Sequence, residues 1–176
     1  MSDTVSNEVL TTDASNVIVE VVEKTFINII NEALNGVILM KTEIKLTTEL
    51  IDIIKKIISL SPNTITDVEK AVIEIVKDEK IDTKDIPQLI IVVQKIYQII
   101  YSLKDAKFDA KKRSEFTASV LKFIVHLLVI ERKIQVEDEK QVEFLKEYDA
   151  LIDACIGLLS FPKSIKTKGC MKKLFG

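Results

Sequence analysis

The sequence predicts an all-α fold: a single compact bundle of about six helices joined by short polar loops. Three observations predict it. Apolar residues recur at steps of three and four rather than two along most of the chain. Stop signals such as Asn35-Gly36 and Ser61-Pro62-Asn63 fall between the periodic stretches rather than within them. At 47% apolar and 30% charged, a chain of 176 residues can fill one core and does not need a second. The expected organisation is a flexible N-terminal segment (residues 1–14), a helical bundle domain (15–162) and a basic C-terminal tail (163–176).

The first helix is expected to begin after Ser15 or Asn16, with Val19, Val22, Phe26, Ile29, Ile30 and Ala33 on one face and Asn35-Gly36 as its stop. Its opening, Val17–Val22, is β-branched enough to read equally as a strand. Residues 37–46 are open between strand and helical lead-in. A second helix, Thr47–Leu60, gathers Leu50, Ile51, Ile54, Ile57 and Ile58. A third is expected at the capping-box pattern Thr66-Asp67-Val68-Glu69, with Val68, Ala71, Val72, Ile75 and Val76 inward. The fourth opens at Asp85-Ile86-Pro87, since proline is tolerated in a first turn, and runs to about Leu103. Residues 104–113 read as a polar connection, 114–131 as the fifth helix and 138–160 as the sixth. Gly157 marks either close packing or early fraying, and Phe161-Pro162 closes the folded part.

Two helices have narrow polar faces. In the fourth, ten of the thirteen residues Leu89–Tyr101 are apolar or Tyr, and Gln88, Lys95, Gln98 and Ser102 form a thin stripe. In the fifth, Glu115, Ser119, Lys122 and His126 repeat at steps of four, three and four as a narrow polar stripe. Helices apolar nearly all round are either central or form an interface, and both readings stay open here. Residues 66–90 and 119–143 can also be laid over each other at an offset of 53, as two helix–turn–helix units with Asp85 and Asp138 as matching caps, although any two amphipathic helical hairpins align this well by period alone. The turns do not read as calcium loops: Val76 stands where an oxygen ligand is needed and Glu79 where the sharp turn needs glycine.

Candidate chemistry is sparse. The sole histidine, His126, has Cys155 as its one plausible thiol partner, and Cys155 sits among Ile152, Ile156 and Leu159. Acidic pairs such as Asp78-Glu79 and Glu137-Asp138-Glu139 fall where capping and helix dipoles explain them. The four glycines form no phosphate-cradling cluster, and two cysteines make neither a disulfide framework nor a four-ligand zinc site. No catalytic residue, metal site or cofactor is assigned, and the expectation is a protein that is not an enzyme and has no small-molecule substrate.

Charge is distributed unevenly. The tail carries Lys163, Lys166, Lys168, Lys172 and Lys173 and no acid, which leaves residues 1–162 at −7 in a chain whose net charge is −2. Its lysines alternate with Ile165, Met171, Leu174 and Phe175. Lys163, Lys166, Lys168, Lys172, Lys173 and Phe175 are therefore the expected partner-binding residues. The expected function is a non-enzymatic structural or scaffolding protein, joining a larger assembly through apolar helix faces and this tail. The partner is another protein or a second copy of the chain. The alternative is a peripheral membrane or regulatory binding module held by the tail, at ~1 kcal/mol per Lys on an anionic surface, with Cys170 as an acylation site. A tail without Arg or a recognition fold argues against sequence-specific nucleic-acid binding. The usage of 27 Ile and 23 Lys against two Arg favours AT-rich codons and fits an AT-rich microbe, a parasite or a large DNA virus. A minor component of a virus particle is one concrete version. The polar first fifteen residues do not read as a signal peptide, and Lys95 interrupts the most apolar stretch, so the expected location is intracellular, or within the particle if viral.

Overall fold

The computed structural model describes residues 24–38, 44–77, 84–103 and 108–160. Among them are six α-helices and no strand: α1 (Phe26–Leu34), α2 (Thr48–Leu60), α3 (Pro62–Ile75), α4 (Ile86–Ser102), α5 (Ala110–Ile130) and α6 (Gln141–Ser160). The tail and the N-terminal segment lie outside the described residues, as do 39–43 of the stretch left open at 37–46. Residues 37–38 and 44–46 of that stretch are neither helix nor strand.

Local chemistry sets the helix ends. α1 does not continue upstream through Thr25, as the apolar periodicity suggested. Thr25 is extended (φ −64°, ψ 148°), and its hydroxyl caps the helix by accepting from the Asn28 amide. At its other end Gly36 takes φ +74°, and the Val37 amide donates back to the Glu32 carbonyl at 2.9 Å, a Schellman stop of the kind Asn35-Gly36 promised. Thr47 caps α2 by accepting from the Leu50 amide at 3.2 Å. Only Ser61 separates α2 from α3, because Pro62 starts the next helix where its missing N–H costs nothing.

The helix expected at Thr66 thus begins four residues earlier, and the capping box does not form. Glu69 is instead a buried residue of α3 whose Oε1 accepts from Lys133 Nζ at 2.7 Å. α5 also starts four residues earlier than its hydrophobic pattern, because the Asp109 carboxylate accepts from the Lys112 amide at 2.7 Å and extends the helix into polar sequence. α6 starts three residues later than expected. Asp138 therefore precedes the helix rather than capping it, and its carboxylate accepts from the Gln141 side chain at 2.9 Å. The superposition at an offset of 53 fails at this point, since Asp85 directly precedes α4, without a side-chain cap bond, whereas Asp138 stands three positions before α6.

α5 is the centre of the bundle and packs against α2, α3, α4 and α6. Val120, Leu121 and the run from Phe123 to Val129 are all buried, so this helix is covered nearly all round. Each such aliphatic or aromatic side chain contributes roughly 1.5–3 kcal/mol when fully removed from water. α4 is one-sided. Leu89, Val92, Val93, Ile96 and Ile100 face the core, whereas Ile91 is 54% exposed. The α5–α6 turn is closed by Arg132, which takes φ 54° while the Lys133 amide donates to the Leu128 carbonyl at 2.9 Å. Lys133 then reaches Glu69 and lies 5.9 Å from the Phe26 ring centroid, linking α1, α3 and the turn.

Candidate functional site

The polar stripe of α5 faces α6, and the two helices run antiparallel. Two side chains one turn apart on α5 meet two one turn apart on α6. Lys122 Nζ donates to Asp153 at 2.7 Å, and His126 Nε2 lies 3.2 and 3.3 Å from the two carboxylate oxygens of Asp149. An ionised carboxylate only accepts, so this geometry places the His126 proton on Nε2. The other ring nitrogen, Nδ1, is buried and without a partner. His126 is thus a buried seam residue, fixed on one side by a carboxylate and closed off on the other by the core.

Phe144, Tyr148, Ile152 and Cys155 form the buried face of α6. Tyr148 is fully enclosed, and its hydroxyl also lacks a partner. Burial above all, and then the neighbouring acidic groups Cys155, Asp85 and Asp149, hold its phenol far above the ordinary range. Burial alone pushes the Cys155 thiol up, which suppresses the thiolate a nucleophile requires. Cys155 is therefore a packing residue. Among the described residues no group of three or more His, Cys, Asp and Glu side chains could hold a metal ion.

Past Lys122 the seam opens into a groove of about 720 Å³ between the C-terminal half of α4, the N-terminal half of α5 and the end of α6. Its apolar surface comes from Tyr97, Ala118, Ile156 and Leu159. Lys111, Glu115, Lys122 and Asp153 line it as well, paired as Lys111–Glu115 (3.8 Å) and Lys122–Asp153 (2.7 Å). The groove exists because α5 presents small side chains there, Ala110, Ser114 and Ala118, at successive steps of four. The serines do not make its surface strongly polar. Ser114 Oγ donates to the Ala110 carbonyl at 3.0 Å and Ser119 Oγ to the Glu115 carbonyl at 2.9 Å, each folding back on its own helix.

Of the residues singled out in the sequence, the structure brings Glu115, Ser119 and Lys122 together in the groove, with His126 one turn further along the seam. It does not join His126 to Cys155 by any hydrogen bond; His126 is committed to Asp149. Lys163, Lys166, Lys168, Lys172, Lys173 and Phe175 lie outside the described residues. The small-residue face of α5 is hidden from the hydrophobic pattern, which starts that helix at Ser114 and leaves out the turn containing Ala110. The four-residue spacing of Ala110, Ser114 and Ala118 was the available signal. No described helix is long and apolar enough to cross a membrane. Compared with protein-family models, with curated proteins and with solved structures, the chain matches none of them.

Proposed function

We propose that this protein works by contact rather than catalysis, as a helical structural or scaffolding component of a larger assembly. The observation that carries the reading is the outer surface of α4 and α6, where Ile91, Val142 and Leu158 are each more than half exposed. Single exposed apolar residues are ordinary on a soluble protein. Ile91 differs because the helix that bears it is almost uniformly apolar, with little polar surface to turn outward. A second support is the use of the sole histidine and the cysteine of α6 as packing and seam residues. The Lys-rich segment 163–176 adds a basic arm to an acidic body, a layout suited to an acidic protein surface or a second copy of the chain. A minor virion component, or an intracellular scaffold, is the concrete form this reading takes.

Light scattering on the full chain after size exclusion tests it. A multimer at micromolar concentration is expected, and Ile91→Lys with Leu158→Lys should shift it toward monomer without loss of helical signal. A strictly monomeric protein that adheres to no partner sinks the reading. Co-sedimentation with anionic liposomes that depends on residues 163–176 would instead favour the peripheral membrane module.

A further inference from the structure

We infer, resting on the contact function proposed above, that two copies of this chain meet through the outer face of α4. The two helices lie antiparallel, with Gln94 at the two-fold axis. Three observations carry this arrangement. The first is a lack of charge on a surface open to water. Eight residues of α4 are exposed, and Lys95 alone among them is charged, whereas four of the seven exposed residues of α2 are charged. Lys95 is itself paired with Asp67 at 3.7 Å. Depletion of charge beside apolar and aromatic side chains marks the middle of a protein interface rather than a solvated face. On α4 the exposed Ile91 and Tyr101 supply those side chains.

The second is spacing. Pro87, Ile91, Gln94, Gln98 and Tyr101 are all exposed and follow one another at steps of four, three, four and three. That is the 3.5-residue seam along which two helices pack side by side. Gln94 is the midpoint of α4, which spans Ile86–Ser102, and Pro87 and Tyr101 lie equally far to either side of it. Full antiparallel overlap therefore sets Pro87 against Tyr101 of the second copy at both ends, and it opposes the two helix dipoles.

The third is self-complementarity. A two-fold contact lays a patch on a copy of itself, so the patch must match itself. A face of one charge sign repels its copy, and a strongly acidic or basic partner finds no unpaired opposite charge on this one. The carboxamides of Gln94 and Gln98 carry both donors and an acceptor, so each bonds its like. Residues 1–162 carry −7, and two such bodies approach with least repulsion through the face that bears least charge. Size sets the strength. The strip is about 25 Å long and about 10 Å wide, short of the roughly 800 Å² per partner of a standard interface. The pair is accordingly weak and forms as concentration rises.

Sedimentation equilibrium on the full chain tests the arrangement by exchanging charge at the axis. The unaltered chain is expected to pair reversibly at roughly 10–100 μM. Gln94→Glu and Gln94→Lys, each alone, should weaken pairing by about tenfold or more, because the axis sets each new charge beside its own copy. Mixed in equal amounts, the two variants should pair again. Circular dichroism should not change, since Gln94 is exposed. In a Cys170→Ser background, with Cys155 buried, Pro87→Cys chains should crosslink to Tyr101→Cys chains and not to one another. Linking of Pro87→Cys chains to one another overturns the inference. Self-association that both Gln94 variants leave intact also overturns it, while the contact function then stands on another surface. A chain that stays monomeric but binds a different protein does the same. A monomer that binds nothing overturns both.

Discussion

α4 and α5 are nearly indistinguishable as sequences and opposite as structural elements. Both are apolar on most of their circumference and both pack against four helices, yet the neighbours of α5 cover it nearly all round from Val120 to Val129 whereas those of α4 cover one side only. The difference teaches that apolar content measures how much surface a helix can hide, not how much its neighbours cover. From Val120 to Val129 α5 uses nearly its whole circumference for stability. α4 uses one face and leaves Ile91 to solvent, and that remainder is what the proposed contact function draws on.

The largest effect should come from the enclosed helix. Phe123→Ala, at a fully buried position, should cost roughly 3–5 kcal/mol in urea unfolding, as large-to-small changes in rigid cores do. A loss below about 1 kcal/mol would mean that α5 is not the centre of the bundle. Within α4 the two faces should separate cleanly. Ile96→Ala on the inner face should cost about 2–5 kcal/mol. Ile91→Ala on the outer face should change stability by less than about 0.5 kcal/mol. Equal losses at the two positions would erase the contrast.

Smaller effects probe the seam beside α5. Tyr148→Phe removes a buried hydroxyl that has no partner, and should leave stability unchanged or raise it by up to about 1 kcal/mol. It should also alter the alkaline limb. The unfolded chain ionises this phenol near its ordinary pKa of 10.0, while burial keeps the folded one protonated well above that. Stability that is complete below pH 10 is therefore lost as pH rises beyond it, and Tyr148→Phe should flatten that fall in equilibrium denaturation. The smallest change is expected at Gly157. A Cβ there meets nothing within 4 Å, which rules out close packing as the reason for the glycine. Gly157→Ala should stabilise by about 0.5–1 kcal/mol through helix propensity, visible as a raised melting temperature.

Much of the molecule was legible in advance, and the misses have local causes. α2 and α4 were placed to within about a residue, because Thr47, Ser61-Pro62 and Pro87 are strong end signals close to an apolar pattern. α3 and α5 were each started four residues late, because both begin in polar sequence that the hydrophobic period does not mark. There Pro62 and Asp109 set the ends, as a backbone fit and a side-chain cap. The local spacing of Thr66 and Glu69 suits a cap. The partner Glu69 actually takes, Lys133, lies 64 positions away, beyond the reach of any local pattern. The polar stripe of α5 was visible from its spacing, but its partners Asp149 and Asp153 were not, since they depend on the register between two helices.

The sequence by itself determined the helical class, the approximate helix count and which faces needed cover, because backbone hydrogen bonding and a 3.6-residue repeat are local properties that short segments carry alone. Only the tertiary structure decided that α5 rather than α4 is enclosed, that His126 is held by Asp149, and that small side chains on α5 open a groove beside the end of α6. Those outcomes depend on how side chains from distant positions share limited volume, and close packing settles that only when all the helices are in place.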